Sequence, residues 1–303
     1  MTLDASFYKL FSALALAGSF SFFVLGVGVA FRWIKFPDLT GDGSFALGGA
    51  ITARLIAEGA PIGFAIFFAV IGGCIAGLGT AAMHRYLRVP KILAGVLMMM
   101  ALYTVNLRVL GRPNLPIPRS SGIFSMVGDA IGSSLALQIF LIIVSIAILG
   151  YFLLYVFLES RTGLFLRISG ASHSVSVSYG VSPLQTLLGL SIANGLIALS
   201  GSLVAQHSYS ADIHMGFGQL IVAVAALFIG MTLFRRPTVS NLLLASISGS
   251  VIYMLLIQFS LEFGIQTQDF RLISTLIVLG AISIAALTGK GESLRRGVDA
   301  FGL

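Results

Sequence analysis

Nine apolar runs take up most of this chain, at about residues 11–33, 44–58, 61–83, 91–110, 135–158, 183–206, 215–234, 239–262 and 271–289. Most of them approach or exceed the ~20 residues an α-helix needs to cross a lipid hydrocarbon core. Inside lipid a chain must satisfy its own backbone N–H and C=O groups, so runs of this length are helices. The strict alternation of a membrane barrel is absent. Composition agrees, since only 10% of the 303 residues are charged and 57% are hydrophobic. A soluble domain carries roughly 25% charged residues. The expectation is an all-α, polytopic transmembrane protein whose first partner is the lipid bilayer. It forms a single membrane-spanning domain over residues 1–303, with approximate halves 1–134 and 135–303. The first run is too long for the apolar core of a signal peptide and is read as the first helix.

Punctuation and charge support these cuts. Pro61, Pro90 and Pro183 stand at or near helix starts, where a missing N–H costs nothing. Pro37, Pro113, Pro116, Pro118 and Pro237 fall in loops. If the loop His84–Lys91 is cytoplasmic, alternation places twelve of the eighteen Lys and Arg residues inside. That bias predicts an N-terminus outside and a C-terminus inside, for a protein of a bacterial cytoplasmic (inner) membrane. The net charge of +7 sits in short clusters between apolar runs, so it reads as an orientation signal and implies no nucleic-acid partner. The lone Cys74 excludes an intrachain disulfide and is read as a packing residue.

The nine segments are unequal. The run 44–58 is short for a span and follows the polar stretch from Asp38 to Ser44, which contains Gly41 and Gly43. A second irregular place is Ser208–Gly218, with Asp212, His214, Gly216 and Gly218. Non-helical backbone at membrane depth is tolerated where it lines a cavity or is buried in protein. One loop is entered from each side. The pattern is that of two inverted-topology halves around a midplane site. Most of the many glycines within apolar runs, such as Gly73 and Gly77, read as close helix packing.

Ionisable and polar groups within a membrane are costly and mark candidate sites. Asp42, just ahead of the short helix, reads first as its N-cap and second as a substrate contact. Asn106 and Asn194 lie within or at the ends of apolar helices, and Gln206, Asp212 and His214 bracket the second loop. His84 and His207 read as interfacial residues, and Arg54 with Glu58 as an i,i+4 pair. No metal site is expected, because His214 has no second ligand at suitable spacing. Catalytic signatures and the phosphate-binding Gly-x-x-x-x-Gly-Lys-Ser/Thr loop are both lacking, so no enzyme activity is expected. If transport is ATP-driven, ATP hydrolysis belongs to another chain. The longest inside loop, 159–182, carries Gly170 and Gly180 around a nine-residue segment, read as a short surface helix for a cytosolic partner.

Four stretches also resemble a known family. They are Asp38-x-Thr40-x-Asp42-Gly43-Ser44-Phe45-x-Leu47-Gly48-x-Ala50, Leu93 to Asn114, Ser191 to Gln206, and Asp212-x-x-Met215-Gly216-x-Gly218. Together they resemble ABC-transporter permeases of the branched-chain amino acid type. The likeness is nearest to relatives described as tryptophan/tyrosine permeases or permeases of uncharacterised substrate. The resemblance implies the permease subunit of an ATP-driven importer for a small polar metabolite, an amino acid or related compound. It implies cytosolic ATP-binding subunits, an extracytoplasmic substrate-binding protein and a homodimer of permeases. It implies no cofactor in this chain, ATP being held by the partner. The expected substrate path runs by Asp42, Gly43, Ser44, Phe45, Asn106, Asn194, Gln206, His214 and Gly216. The ATPase-coupling loop follows Leu164 and includes Gly170, Ser174, Tyr179 and Gly180. Here the chain departs from the family, which usually has a charged helical segment between those glycines. Residues 171–179 are poor in helix formers, with only His173 ionisable near neutrality. A self-contained ion-coupled secondary transporter is the alternative reading.

Overall fold

The computed structural model describes residues 2–118, 135–170, 184–234 and 238–262, with scattered helical positions from Leu272 to Ser283. In chain order the elements are α1 (Thr2–Gly28), a π-helical turn (Val29–Trp33), α2 (Gly41–Ala57), α3 (Ile62–Tyr86) and α4 (Lys91–Leu110). They continue with β1 (Asn114–Pro116), α5 (Leu135–Glu159), α6 (Arg161–Ser169), α7 (Leu184–His207), β2 (Ser210–Asp212), α8 (Gln219–Leu233) and α9 (Val239–Glu262). Among the described residues five helices are long and apolar enough to cross a membrane, or six if α5 and α6, bent by 76° at Ser160, count as one broken span. The chain is a polytopic helical membrane protein.

The differences from expectation are local. The run 215–234 yields a helix of only 15 residues. At 1.5 Å per residue α8 is about 22 Å long, and α2 about 25 Å, each short of a ~30 Å core. The loop 159–182 begins with a helix, α6, ahead of Gly170, where its Ser160 cap accepts from Gly163 N–H. The segment 171–179 and most of the ninth run, 271–289, lie outside the described residues. One strand pair interrupts the helical pattern. β1 and β2 run antiparallel, with Asn114 opposite Asp212 and Pro116 opposite Ser210. They tie the loop after α4 to the loop after α7.

Helix α7 is the centre of the bundle and packs on α1, α2 and α3. Small residues bring the backbones together. A Cβ at Gly73 or Gly77 of α3 would run into the α7 carbonyls of Asn194 or Leu190. Gly48 of α2 rests in the same way on Ala198, and Gly201 of α7 on Phe45. Between lipid-solvated helices such close approach is the main source of packing energy. Packing is also exchanged along the chain, since α1 lies along α9 while α3 lies along α7. Beside α7, the Phe23 and Phe45 rings stack with centroids 5.2 Å apart, and Phe20 meets Phe23 edge-on at 5.3 Å. Phe64, Phe67, Phe68, Ile75 and Leu78 turn outward from α3, as lipid-facing side chains do.

The crossing of α3 and α7 has no room for side chains, whereas a Cβ at Gly63 meets nothing within 4 Å. Gly73→Val should cost on the order of 1–3 kcal/mol through overpacking. Thermal unfolding in mild detergent should therefore fall by several degrees for Gly73→Val and stay unchanged for Gly63→Ala.

Candidate functional site

The π-helical turn releases the chain from α1 into residues 34–40, and this stretch satisfies its own polar groups. The Ile34 and Phe36 amides donate back to the Val29 and Ala30 carbonyls. Asp38, only 3% exposed, accepts from the Thr40 amide at 2.9 Å and from Asn194 Nδ2 at 2.6 Å. Asn194 Oδ1 in turn accepts from the Ser44 hydroxyl at 2.7 Å. A carboxylate is an acceptor only, so Asp38 sets the orientation of the Asn194 amide. The Thr40 and Thr80 hydroxyls share a further bond of 2.7 Å. A buried polar group without partners would cost several kcal/mol in lipid, and this network removes that cost.

Asp42 does not cap its own helix, which corrects the reading from sequence. It is the second residue of α2, and no side chain caps that helix at Thr40. Its carboxylate instead accepts from the Gly218 amide at 2.8 Å and from the Leu220 amide at 2.7 Å. These N–H groups open α8, whose own N-cap residue, Gly218 at φ 80°, has no side chain to do so. Asp42 therefore caps α8 from across the bundle, with favourable placement of negative charge at a helix N-terminus. Gly216 lies directly on the Asp42 carbonyl, where any Cβ would collide.

Beside this contact is a cleft of about 370 Å³. It is lined by Asp42, Gly43 and Ala46 of α2, by Met99, Met100, Tyr103 and Asn106 of α4, and by Ile213, His214 and Phe217 of the loop before α8. Asn106 is buried and donates from Nδ2 to the Gly43 carbonyl at 3.1 Å. Its Oδ1 has no partner among the described residues. His214 donates its backbone N–H to Asp212 at 2.7 Å, and its ring centroid lies 5.9 Å from that of Tyr103. The walls are thus mostly apolar and aromatic, with a few placed polar groups, as in small-molecule sites generally.

Of the residues singled out from sequence, Asp42, Gly43, Asn106 and His214 line the cleft, and Gly216 backs it. Ser44 and Asn194 belong to the adjoining Asp38 network. Phe45 is placed elsewhere, in the aromatic core, and Gln206 is buried within α7 with Nε2 donating to the Ser202 carbonyl at 3.4 Å. Leu164 is exposed on α6, and Gly170 seats against the Trp33 carbonyl. Ser174, Tyr179 and Gly180 lie outside the described residues. Arg54 and Glu58 form the expected pair, 2.6 Å apart and exposed. Among the described residues no group of three His, Cys, Asp or Glu is placed to hold a metal ion. Sequence reasoning missed Met99 and Tyr103, although with Asn106 they follow the i, i+4, i+7 spacing of one helical face.

Short helices meeting at a lined cleft inside a bundle of membrane spans are an architecture in which transporters place their sites. The match of residues 9–287 to the family model "Branched-chain amino acid transport system / permease component" places this chain in that family. It is 35% identical over 268 residues to the tyrosine transport system permease protein of Clostridioides difficile (strain R20291), covering 88% of each chain. It is 31% identical over 268 residues to an uncharacterized protein of Rickettsia prowazekii (strain Madrid E), covering 86% of this chain and 91% of the other. No solved structure matches it significantly. The chain is a permease component of a transport system.

Asp42→Asn keeps the size of the side chain but leaves one of the two α8 amides facing an NH2 group and without an acceptor oxygen. Losing a cap of this kind costs about 1 kcal/mol. Hydrogen exchange at the Gly218 and Leu220 amides should accelerate by roughly fivefold, while exchange in the middle of α7 stays unchanged.

Proposed function

We propose that this chain is the membrane-spanning permease of an ATP-driven ABC importer and that its substrate path passes the cleft of α2, α4 and the loop before α8. The observation that carries this reading is the Asp42 contact. It joins the starts of two short helices beside a lined cleft, in a chain of this family. Half-length helices with their N-termini at a midplane site are the usual architecture of alternating access. The exchange of α1 onto α9 and α3 onto α7 supports two inverted halves within one permease domain. The substrate is an amino acid or related small metabolite. Tyr103, Phe217, Met99 and Met100 would accept an aromatic side chain, and Asp42, Asn106 and His214 its polar groups. The tyrosine permease among the relatives makes aromatic amino acids the first to test.

The partners are cytosolic ATP-binding subunits, an extracytoplasmic binding protein and a second copy of the permease, in a bacterial inner membrane with the N-terminus out. Coupling to the ATPase enters at α6 and the loop through Gly180. Gly170 rests on Trp33 at the end of the π-helical turn, and that turn leads directly to the Asp38 and Asp42 contacts. Among the described residues the buried carboxylate of Asp38 favours ion coupling without ATP. It is held by the Thr40 amide and by Asn194, which Ser44 holds in turn, and this suits a fixed structural role better.

Co-purification of the tagged chain from its host decides between the readings. Capture of an ATPase and a binding protein, with ATP-dependent uptake in liposomes, is the expected result. Uptake by the chain alone, driven by an ion gradient, would overturn it. In the reconstituted complex Tyr103→Ala should raise the apparent KM for uptake roughly two- to tenfold, the range of a lost aromatic contact. Gly170→Val should lower uptake roughly tenfold or more while ATP hydrolysis continues, since coupling between sites is commonly worth that much.

A further inference from the structure

Positive charge collects where α3 gives way to α4. Arg85 lies in the last turn of α3, Arg88 on the connection, Lys91 opens α4, and Lys35 follows the π-helical turn after α1. The Lys91 ammonium donates to the Lys35 carbonyl at 3.1 Å and stands 5.8 Å from the Phe36 ring centroid. The two segments therefore form one patch, and all four basic residues are exposed. Among the described residues no carboxylate pairs with Arg85, Arg88 or Lys91, and the ion pairs Arg54–Glu58 and Arg167–Glu159 lie elsewhere. Like charges brought together repel one another, so a patch of this sign favours an anion.

Backbone strain falls at the same place. Among the described residues, Lys35, Arg88 and Tyr209 are the non-glycine positions with left-handed φ, at 52°, 56° and 53°. Two of these three belong to the patch. Left-handed backbone costs an L-residue roughly 1–2 kcal/mol, which glycine would avoid. This chain has thirty-five glycines and yet keeps Lys and Arg at these two positions. Strain retained in this way marks places where the side chain is used.

What the patch faces follows from α3. Its outward apolar face continues to Tyr86 and Leu87, which are 65% and 71% exposed. Tyrosine at the end of a lipid-facing helix marks the membrane–water interface. The Arg85 guanidinium lies 5.6 Å from the Tyr86 ring. Basic groups at that level sit at the depth of lipid headgroups. We propose that Lys35, Arg85, Arg88 and Lys91 form a binding site for the phosphodiester headgroup of an anionic phospholipid. The headgroup would offset part of the patch's charge and brace the stretch that follows α1. Phe36 is buried there, 5.4 Å from the His84 ring, two residues before Asp38. Lipid binding thus steadies the approach to the Asp38 network, independently of which substrate the permease carries.

The test is lipid retention by the full chain in nanodiscs of phosphatidylcholine with and without phosphatidylglycerol, read by native mass spectrometry. The variants are Arg85→Gln, Arg88→Gln and Lys91→Gln, singly and together, with Arg112→Gln as a charge control away from the patch. Each removed charge should weaken phosphatidylglycerol retention about fivefold. Arg88→Lys should keep it, and Arg112→Gln should leave it unchanged. All variants are compared at equal melting temperature in phosphatidylcholine alone, which separates lost binding from lost folding. Retention unchanged in the triple variant would overturn the proposal. So would retention that is unchanged while capture of the ATPase subunit is lost, because the patch would then be a protein-docking surface.

Discussion

A helix that starts within a membrane exposes N–H groups where no water can satisfy them, and this chain has two short helices that pose the problem. The first, α2, follows a stretch whose polar atoms close on one another through Asp38, Thr40, Asn194 and Ser44. The second, α8, follows Gly218 and has no cap of its own. Asp42 resolves the second, being fixed in the first turn of α2 while its carboxylate serves the first turn of α8. The start of α8 therefore depends on that of α2. The cleft exists because these two starts are held side by side, with α4 closing the third wall. The apolar walls and central helix set the scaffold, but the position of the cleft depends on one carboxylate.

Most of the scaffold was legible from hydropathy. The run 91–110 matches α4 at both ends, and 239–262 matches α9. Length and apolarity decide those elements, and they need no partner to be recognised. The two short helices were harder, for a physical reason. Near Gly218 the chain between the strand and α8 is apolar enough to resemble a span, yet a left-handed glycine and a cap supplied from α2 set the true start at Gln219. A cap from 176 residues away leaves no local pattern. The same applies to Asp42, which sits where a local cap is expected and acts elsewhere.

The cleft itself was half legible. Asp42, Asn106 and His214 stand out because polar groups are rare among these apolar runs. Tyr103 and Met99 do not, because in a helix surrounded by lipid and protein alike an apolar side chain gives no sign of which it faces. Only the partnerless rule for polar atoms breaks the tie. Asn106 must turn inward, to the Gly43 carbonyl, and the residues one and two turns before it turn with it. Phe45 shows the converse, since an aromatic residue beside a polar motif was drawn into the core by Phe20 and Phe23.

The close backbone crossings bear on how such a bundle can move. Helices in contact through Gly48, Gly73, Gly77 and Gly201 leave no side-chain layer to shear, so α2, α3 and α7 move as one body. Beyond that body two contacts bear on the cleft. One is the tight seat of Gly170 on Trp33, which ties α6 to the end of the π-helical turn. The other is the Asp42 carboxylate on α8, which two hydrogen bonds hold and two hydrogen bonds can release. Between Trp33 and Asp42 run only the eight residues 34–41. On the proposed reading, force applied at α6 reaches the cleft through that short segment. A coupling route of this kind needs an element with two discrete arrangements. The cap on α8 supplies one, because a helix start is either held by its carboxylate or not.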